Sequence, residues 1–278
     1  MAKSLSVVEQ LSYATIRIDV TKAGGLFCGT GFIMSFSNDA GQFMPMLVTN
    51  GHVIDDAQKV SLCFTTVDAQ GDHIGKWHTD KSISQCIYKM HPLYGVSLDG
   101  DLCALAIAPF IRDAQASGHS LMYKVLGMDM LASDADYAEL MQLDEVAMVG
   151  YPNAIADEVN NQPIFRRGVL ATSPSLDYDG RKEFLTDIAT VGGSSGSPVL
   201  QISNGVSVNQ RTGSISLGGS KCKLLGVHRG GFRYDAEGRL QKVSMPEVDS
   251  IISSTRIPIN LGIVIKASRI IELAKQFP

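Results

Sequence analysis

The apolar runs of this chain are short, and turn-forming residues break each of them after a few positions. Tyr13–Val20, Gly31–Phe36, Met44–Thr49, Val60–Val67, Leu102–Ala108, Val146–Gly150, Val169–Thr172, Pro198–Ile202, Lys223–Val227 and Leu261–Ile265 are β-branched or alternating, with glycine, asparagine, aspartate or serine between them. That pattern predicts strands, and many short strands separated by turns predict an all-β barrel or sandwich. No run approaches the ~20 apolar residues needed to cross a bilayer as a helix.

Two stretches depart from the strand pattern. Ile111–Leu143 carries alanine, methionine, leucine and acidic residues at loosely helical spacing, and reads as a connector between two halves. Ala267–Phe277 places Ile270, Ile271, Leu273 and Ala274 in a helical stripe, with Ser268 as the expected N-cap. The Ser-, Gly- and Asn-rich stretch Ser203–Gly219 reads as an exposed hairpin loop. The expected organisation is a first barrel over 1–115, a partly helical connector over 116–145, a second barrel over 146–266 and a C-terminal helix over 267–278.

Composition narrows the function. At 278 residues, 45% apolar and 19% charged, the chain has enough apolar material for a packed core. Its net charge of −4 sets it apart from basic nucleic-acid binders. Met1–Gln10 is polar and lacks a secretion-type apolar core. The five cysteines, Cys28, Cys63, Cys86, Cys103 and Cys222, are odd in number and scattered. They argue against a disulfide framework and against a zinc site. The expectation is a cytoplasmic protein without cofactor or metal, and without nucleic-acid or membrane partners.

Chemistry concentrates in Val191-Gly192-Gly193-Ser194-Ser195-Gly196-Ser197-Pro198. Glycines there would let backbone N–H groups converge on a developing oxyanion beside a serine nucleophile. A plain flexible turn is the alternative. A serine hydroxyl needs a base. Of the six histidines, His52 stands out, because it directly follows the apolar strand ending Leu47-Val48-Thr49. The others lie mostly in polar, turn-like segments, where a solvated histidine is the default. The base in turn needs a carboxylate. Asp101 immediately precedes the apolar run Leu102–Ile107, whereas Asp99 lies further into the turn and reads as solvated.

In the order His52, Asp101, Ser195, the chain resembles the trypsin-like, chymotrypsin-fold serine peptidases. Four blocks carry the resemblance. The histidine block is Gly29-Thr30-Gly31-Phe32-Ile33 with Leu47-Val48-Thr49-Asn50-Gly51-His52-Val53. The aspartate block is Asp101-Leu102-Cys103-Ala104-Leu105, and the nucleophile block is Gly193-Ser194-Ser195-Gly196-Ser197-Pro198. The specificity strand is Leu225-Gly226-Val227-His228-Arg229-Gly230-Gly231. The intervals of 49 and 94 residues between the three suit that fold. Thr-Asn-Gly-His, Gly-Ser-Pro after the nucleophile, and Gly150-Tyr151-Pro152 with Arg167-Gly168-Val169-Leu170 are similar to the bacterial HtrA-like and glutamyl-endopeptidase branches. Only 13 residues follow Ile265, so an appended peptide-binding module is not expected.

The resemblance implies two six-stranded antiparallel β-barrels and a Ser-His-Asp triad working through an acyl-enzyme. Ser195 would be the nucleophile, ahead of Ser194 and Ser197, with an oxyanion hole from the N–H groups of Gly193 and Ser195. The polypeptide substrate would add as an extended strand along Gly230–Phe232. Zymogen-activated members carry aspartate before the nucleophile, where this chain has Ser194, so N-terminal trimming is not expected to be needed. Cys28 occupies a half-cystine position whose partner position here is Val53, in keeping with a reducing compartment. Basic-specific members carry aspartate at the position of Ala189. Thr190 and His228 instead match residues that bind an acidic side chain in glutamyl endopeptidases. The implied P1 residue is Glu, then Gln, and Arg229 reads as solvated. Arg166-Arg167 and the Trp77, His73 and His78 group read as surface features. A protease free in the cytosol would also call for narrow specificity or an activating protein partner. The other functions considered are a catalytically silent peptide-binding module and a serine hydrolase acting on esters.

Overall fold

The computed structural model describes residues 5–37, 41–203, 205–208, 213, 215–218, 221–239 and 252–277. The chain enters through a helix, α1 (Val7–Ala14), that the strand pattern did not announce. Its start is a capping box: Ser6 Oγ accepts from the Glu9 N–H, and the Glu9 carboxylate accepts from the Ser6 N–H. The first strand therefore begins at Thr15, after α1 has buried Leu11 and Ala14.

The first half holds β1 (Thr15–Lys22), β2 (Gly25–Ser37), β3 (Phe43–Thr49), β4 (Lys59–Val67), β5 (His73–Ser82), β6 (Tyr88–Met90), β7 (Cys103–Ala106) and β8 (Ser120–Met122). They pair antiparallel in the order β5-β4-β1-β2-β3-β7-β6, with β8 on β4. Two three-residue strands, β6 and β8, thus supplement the six expected. Ile16, Ile18 and Val20 alternate into one core with Ile33, Leu47, Val60, Leu62, Phe64 and Leu105. Each such side chain contributes roughly 1.5–3 kcal/mol on burial. A short helix, α2 (Gly51–Ile54), follows β3. The strand expected over Leu102–Ala108 stops at Ala106, because α3 (Ala108–Ala116) begins there with Pro109 in its first turn.

Between the halves the chain forms β8, α4 (Asp134–Glu139) and a 3-10 turn at Met128–Met130. Ser133 caps α4, and the Tyr137 hydroxyl donates to the Leu225 carbonyl while accepting from Ala267 N–H at 3.0 Å.

The second half is a closed six-stranded barrel. It contains β9 (Glu145–Gly150), β10 (Ile164–Leu170), β11 (Glu183–Asp187), β12 (Pro198–Ser203), β15 (Lys221–Arg239) and β16 (Ile252–Lys266). The hairpin β13 (Val206–Val208) and β14 (Ile215–Leu217) lies off it, and part of the expected 203–219 loop falls outside the described residues. The barrel core is built on Val146, Met148, Leu170, Phe184, Val199, Leu225 and Val264.

Helix α5 (Ser268–Ala274) joins the halves. Its Ile270 and Leu273, with Phe277 beyond it, pack into a cluster that also holds Phe32, Phe36, Met46 and Leu102 from the first half and Leu200, Val227 and Ile265 from the second. The N-cap is Ala267, not Ser268. Its N–H donates to the Tyr137 hydroxyl at 3.0 Å and to the Leu225 carbonyl at 3.1 Å, and β16 turns into the helix without a side-chain cap.

Candidate active site

Helix α2 lies at the end of β3 and presents His52. The Asp101 carboxylate faces it with both oxygens. Oδ1 accepts from the His52 backbone N–H at 2.9 Å, and Oδ2 lies 2.6 Å from Nδ1. A carboxylate there places the proton on Nδ1 and leaves Nε2 as the acceptor. Asn50, fully buried, donates from Nδ2 to the Asp101 carbonyl at 2.8 Å and so ties the two turns together. Gly51 admits the ring of Tyr94: a Cβ there would lie 2.2 Å from Tyr94 Cε2. Tyr94 is in turn held by Asp55 at 2.8 Å.

Asp99 is not solvated. It is 1% exposed and accepts from Ser97 Oγ, from the Lys182 N–H and from the Arg269 guanidinium. Desolvation raises its pKa, but the hydrogen bonds from Ser97, Arg269 and Lys182 outweigh it and hold the carboxyl at about 2. The two aspartates divide the turn: Asp101 faces His52, and Asp99 faces the C-terminal helix. His91, expected to be solvated, is 2% exposed, with Nδ1 accepting from the Leu93 N–H and Nε2 3.3 Å from Glu272. Burial lowers its pKa.

Ser195 sits in the turn between β11 and β12. Ser194 N–H bonds back to the Val191 carbonyl, with Gly193 at φ +82°. Gly196 has φ +86°, and a Cβ there would lie 1.9 Å from the Thr30 carbonyl oxygen, so only glycine fits. Ser195 Oγ donates to the Arg229 carbonyl at 3.4 Å. Among the described residues it makes no hydrogen bond to His52; such bonds are often long before substrate binds.

A cleft of about 290 Å³ opens beside Ser195 and contains all four expected binding residues, Thr190, His228, Gly230 and Gly231. Asn153, Gly192, Phe232 and Arg233 complete much of its wall, and among the described residues no carboxylate lines it. His228 is 1% exposed, and among the described residues its Nδ1 has no partner. Burial first, then the charges of Arg166, Arg229 and nearby His52, lowers its pKa to about 3. The ring is therefore neutral at physiological pH, in a field of positive sign. The register of β15 against β16 shifts between His228 and Gly230 and again between Gly231 and Arg233. Irregularities of this kind commonly re-aim side chains at sites.

Arg229 and Arg166 differ from their expected solvated places, whereas Arg167 does not. Arg229 is held at 2.5 Å by Glu183, which is fully buried and also takes Arg181. Arg166 is half-buried with its guanidinium on the Ala189 carbonyl, whereas Arg167 is exposed beside Glu145. Trp77 stacks on His119 at 3.8 Å. All five thiols are free, and burial first, then Asp19, pushes the Cys28 thiol up to about 12.

A family model described as a trypsin-like peptidase domain matches residues 29–208. No curated protein sequence matches the chain. Among solved structures, a variant of the HtrA-type protease AlgW with tripeptide superposes with a TM-score of 0.53 at 15% identity, covering 97% of this chain and 61% of that one. A scabies mite inactivated protease paralogue gives 0.52 at 11%, covering 96% and 94%. A thermostable serine protease from an extremophilic microorganism gives 0.50 at 14%, covering 96% and 97%. At these identities the likeness is one of fold. The chain spans about 61% of the length of the HtrA-type protease.

Proposed function

The chain belongs to the trypsin-like peptidase family, and from that premise we propose that it is a serine endopeptidase working through Ser195, His52 and Asp101. The observation that carries the reading is the two-point hold of Asp101 on His52, through the backbone N–H and Nδ1. With Nδ1 committed, Nε2 takes the Ser195 proton as Oγ attacks the scissile carbonyl. The imidazolium so formed is stabilised by Asp101. Charge on the carbonyl oxygen is met by the N–H groups of Gly193 and Ser195. Collapse of the tetrahedral intermediate expels the amine, which leaves with the proton from His52. Water, activated by the same ring, then hydrolyses the acyl-enzyme.

For the substrate, the reading is a polypeptide laid as a strand along Gly230–Phe232, with Glu preferred at P1 and Gln next. A pocket with Arg233 and, among the described residues, no carboxylate in its wall, and with Arg166 close to His228, favours an anionic or amide side chain. A carboxylate entering that field would lift the His228 pKa and gain a charge-assisted hydrogen bond. The free thiols favour work in a reducing compartment.

Cleavage of a peptide library tests the pocket: a P1 preference for Leu, Val or Lys overturns the acidic reading. A second reading, a silent peptide-binding module, is favoured by the Ser195 hydroxyl lying on the Arg229 carbonyl rather than on His52. Fluorophosphonate labelling that disappears in Ser195→Ala decides against it.

A further inference from the structure

Among the described residues, the N–H groups of Gly193 and Ser195 donate to no protein acceptor; the protein grips the carbonyls of their loop instead. A peptide C=O and the N–H that follows it point in opposite directions. The Gly192 carbonyl is taken by the Asn153 N–H at 2.6 Å, and the Ser194 carbonyl by the Ser197 N–H at 3.1 Å. Both oxyanion donors are thereby turned away from the protein. Asn153 reaches its position at φ +48°, a conformation that asparagine tolerates better than most residues.

The intervening grips come from a single residue of the first half. Thr30 Oγ1 donates to the Gly193 carbonyl at 2.8 Å, and the Thr30 N–H donates to the Ser195 carbonyl at 2.8 Å. Thr30 Oγ1 accepts from the Tyr151 N–H at 3.0 Å, so its one proton is directed to Gly193. The Thr30 carbonyl accepts from Thr49 Oγ1 at 2.7 Å. Thr30 is fully buried, and each of its polar groups is used. Ser194, by contrast, is buried, its hydroxyl has no partner among the described residues, and it carries no charge that could anchor the loop.

We propose that Thr30 is a positioning residue that holds the oxyanion loop in its reactive form, by fastening the Gly193 and Ser195 carbonyls to β2. The proposal rests on Ser195 being the nucleophile. Valine at this position keeps the shape of threonine but loses the hydroxyl. The buried Tyr151 N–H and the part-buried Gly193 carbonyl would then lose their partner, and the loop would rotate to satisfy them.

The test compares the wild-type chain with Thr30→Val and Thr30→Ser in three measurements: kcat and KM on a peptide substrate, affinity for a peptide aldehyde of matching sequence, and melting temperature. The aldehyde adds the nucleophile and places an oxyanion in the hole, so it reports the hole directly. Thr30→Val should lower kcat about 10–100-fold with KM within about twofold of wild type, and should weaken the aldehyde by a similar factor. Thr30→Ser should restore both. A Thr30→Val chain with wild-type kcat, or one whose kcat falls while aldehyde affinity holds, overturns the proposal. Should the valine variant not fold, Thr30→Ala, which leaves room for a bridging water, is judged by the same criteria. Wild-type turnover that persists in Ser195→Ala removes the reading of the nucleophile and this proposal with it. Ser195-dependent turnover with an unimpaired Thr30→Val removes this proposal alone.

Discussion

Asp99 and Arg269 form an ion pair, with the Asp99 side chain 2% and the Arg269 side chain 15% exposed, that fastens the C-terminal helix to the turn carrying Asp101. The two residues are 170 positions apart, and Arg269 also reaches Glu272 at 2.7 Å. The acid two positions before Asp101 is thus a structural anchor. Removing one partner of such a pair leaves a buried charge. We expect Arg269→Met to lower unfolding free energy by about 3 kcal/mol in denaturant titration. A loss within experimental error would show that the pair is not holding the helix.

The same pair predicts acid sensitivity. The Asp99 pKa is held at about 2, below its ordinary value. A depressed carboxylate contributes stability that is present above the unfolded pKa of about 3.9 and lost as pH falls through the folded value. Between about pH 4 and pH 2 the chain should therefore lose about 2 kcal/mol from this group. The slope of stability against pH over that window should flatten in Asp99→Asn. Equal slopes in the two proteins would contradict the assignment.

Gly51 and Tyr94 should be coupled. The Cβ of Gly51→Ala would strike the Tyr94 ring, displacing the turn that carries His52. We expect a loss of about 1–3 kcal/mol and of most activity. In a Tyr94→Ala background the same alanine should cost far less. A double-mutant cycle with no interaction energy would rule out this contact as the reason for the glycine.

Asp101→Asn should leave the fold intact and reduce kcat about 10⁴-fold, because an amide cannot both hold Nδ1–H and stabilise the imidazolium. The informative readout is the pH profile of kcat/KM alongside an unchanged circular dichroism spectrum. A variant within tenfold of wild type would mean that Asp101 does not orient His52.

Much of the architecture was legible because strands declare themselves by local alternation. Ile16, Ile18 and Val20 read as one face from sequence and form one face of the core. The histidine and aspartate turns were legible for a similar reason, since each abuts an apolar strand. What escaped is long-range. The partners of Asp99 and Arg229 are Arg269 and Glu183, residues distant in sequence that only the folded chain brings together. Thr30 stood in a recognised block, but nothing local indicates that its hydroxyl spans Gly193 and Tyr151. Helix α1 is different: its Ser6-Val7-Val8-Glu9 capping box is local, but the helix runs directly into the alternating residues of β1.

The central claim is that Ser195, oriented and activated by this site, forms an acyl-enzyme. The most direct measurement is intact-mass detection of a covalent adduct after a fluorophosphonate is added to the wild-type chain, with Ser195→Ala, His52→Ala and the heat-denatured protein beside it. One adduct should form on the wild-type chain and be located at Ser195 by peptide mapping, little or none on His52→Ala, and none on the other two samples. An adduct on another serine, or equal labelling of wild type and Ser195→Ala, would contradict the claim.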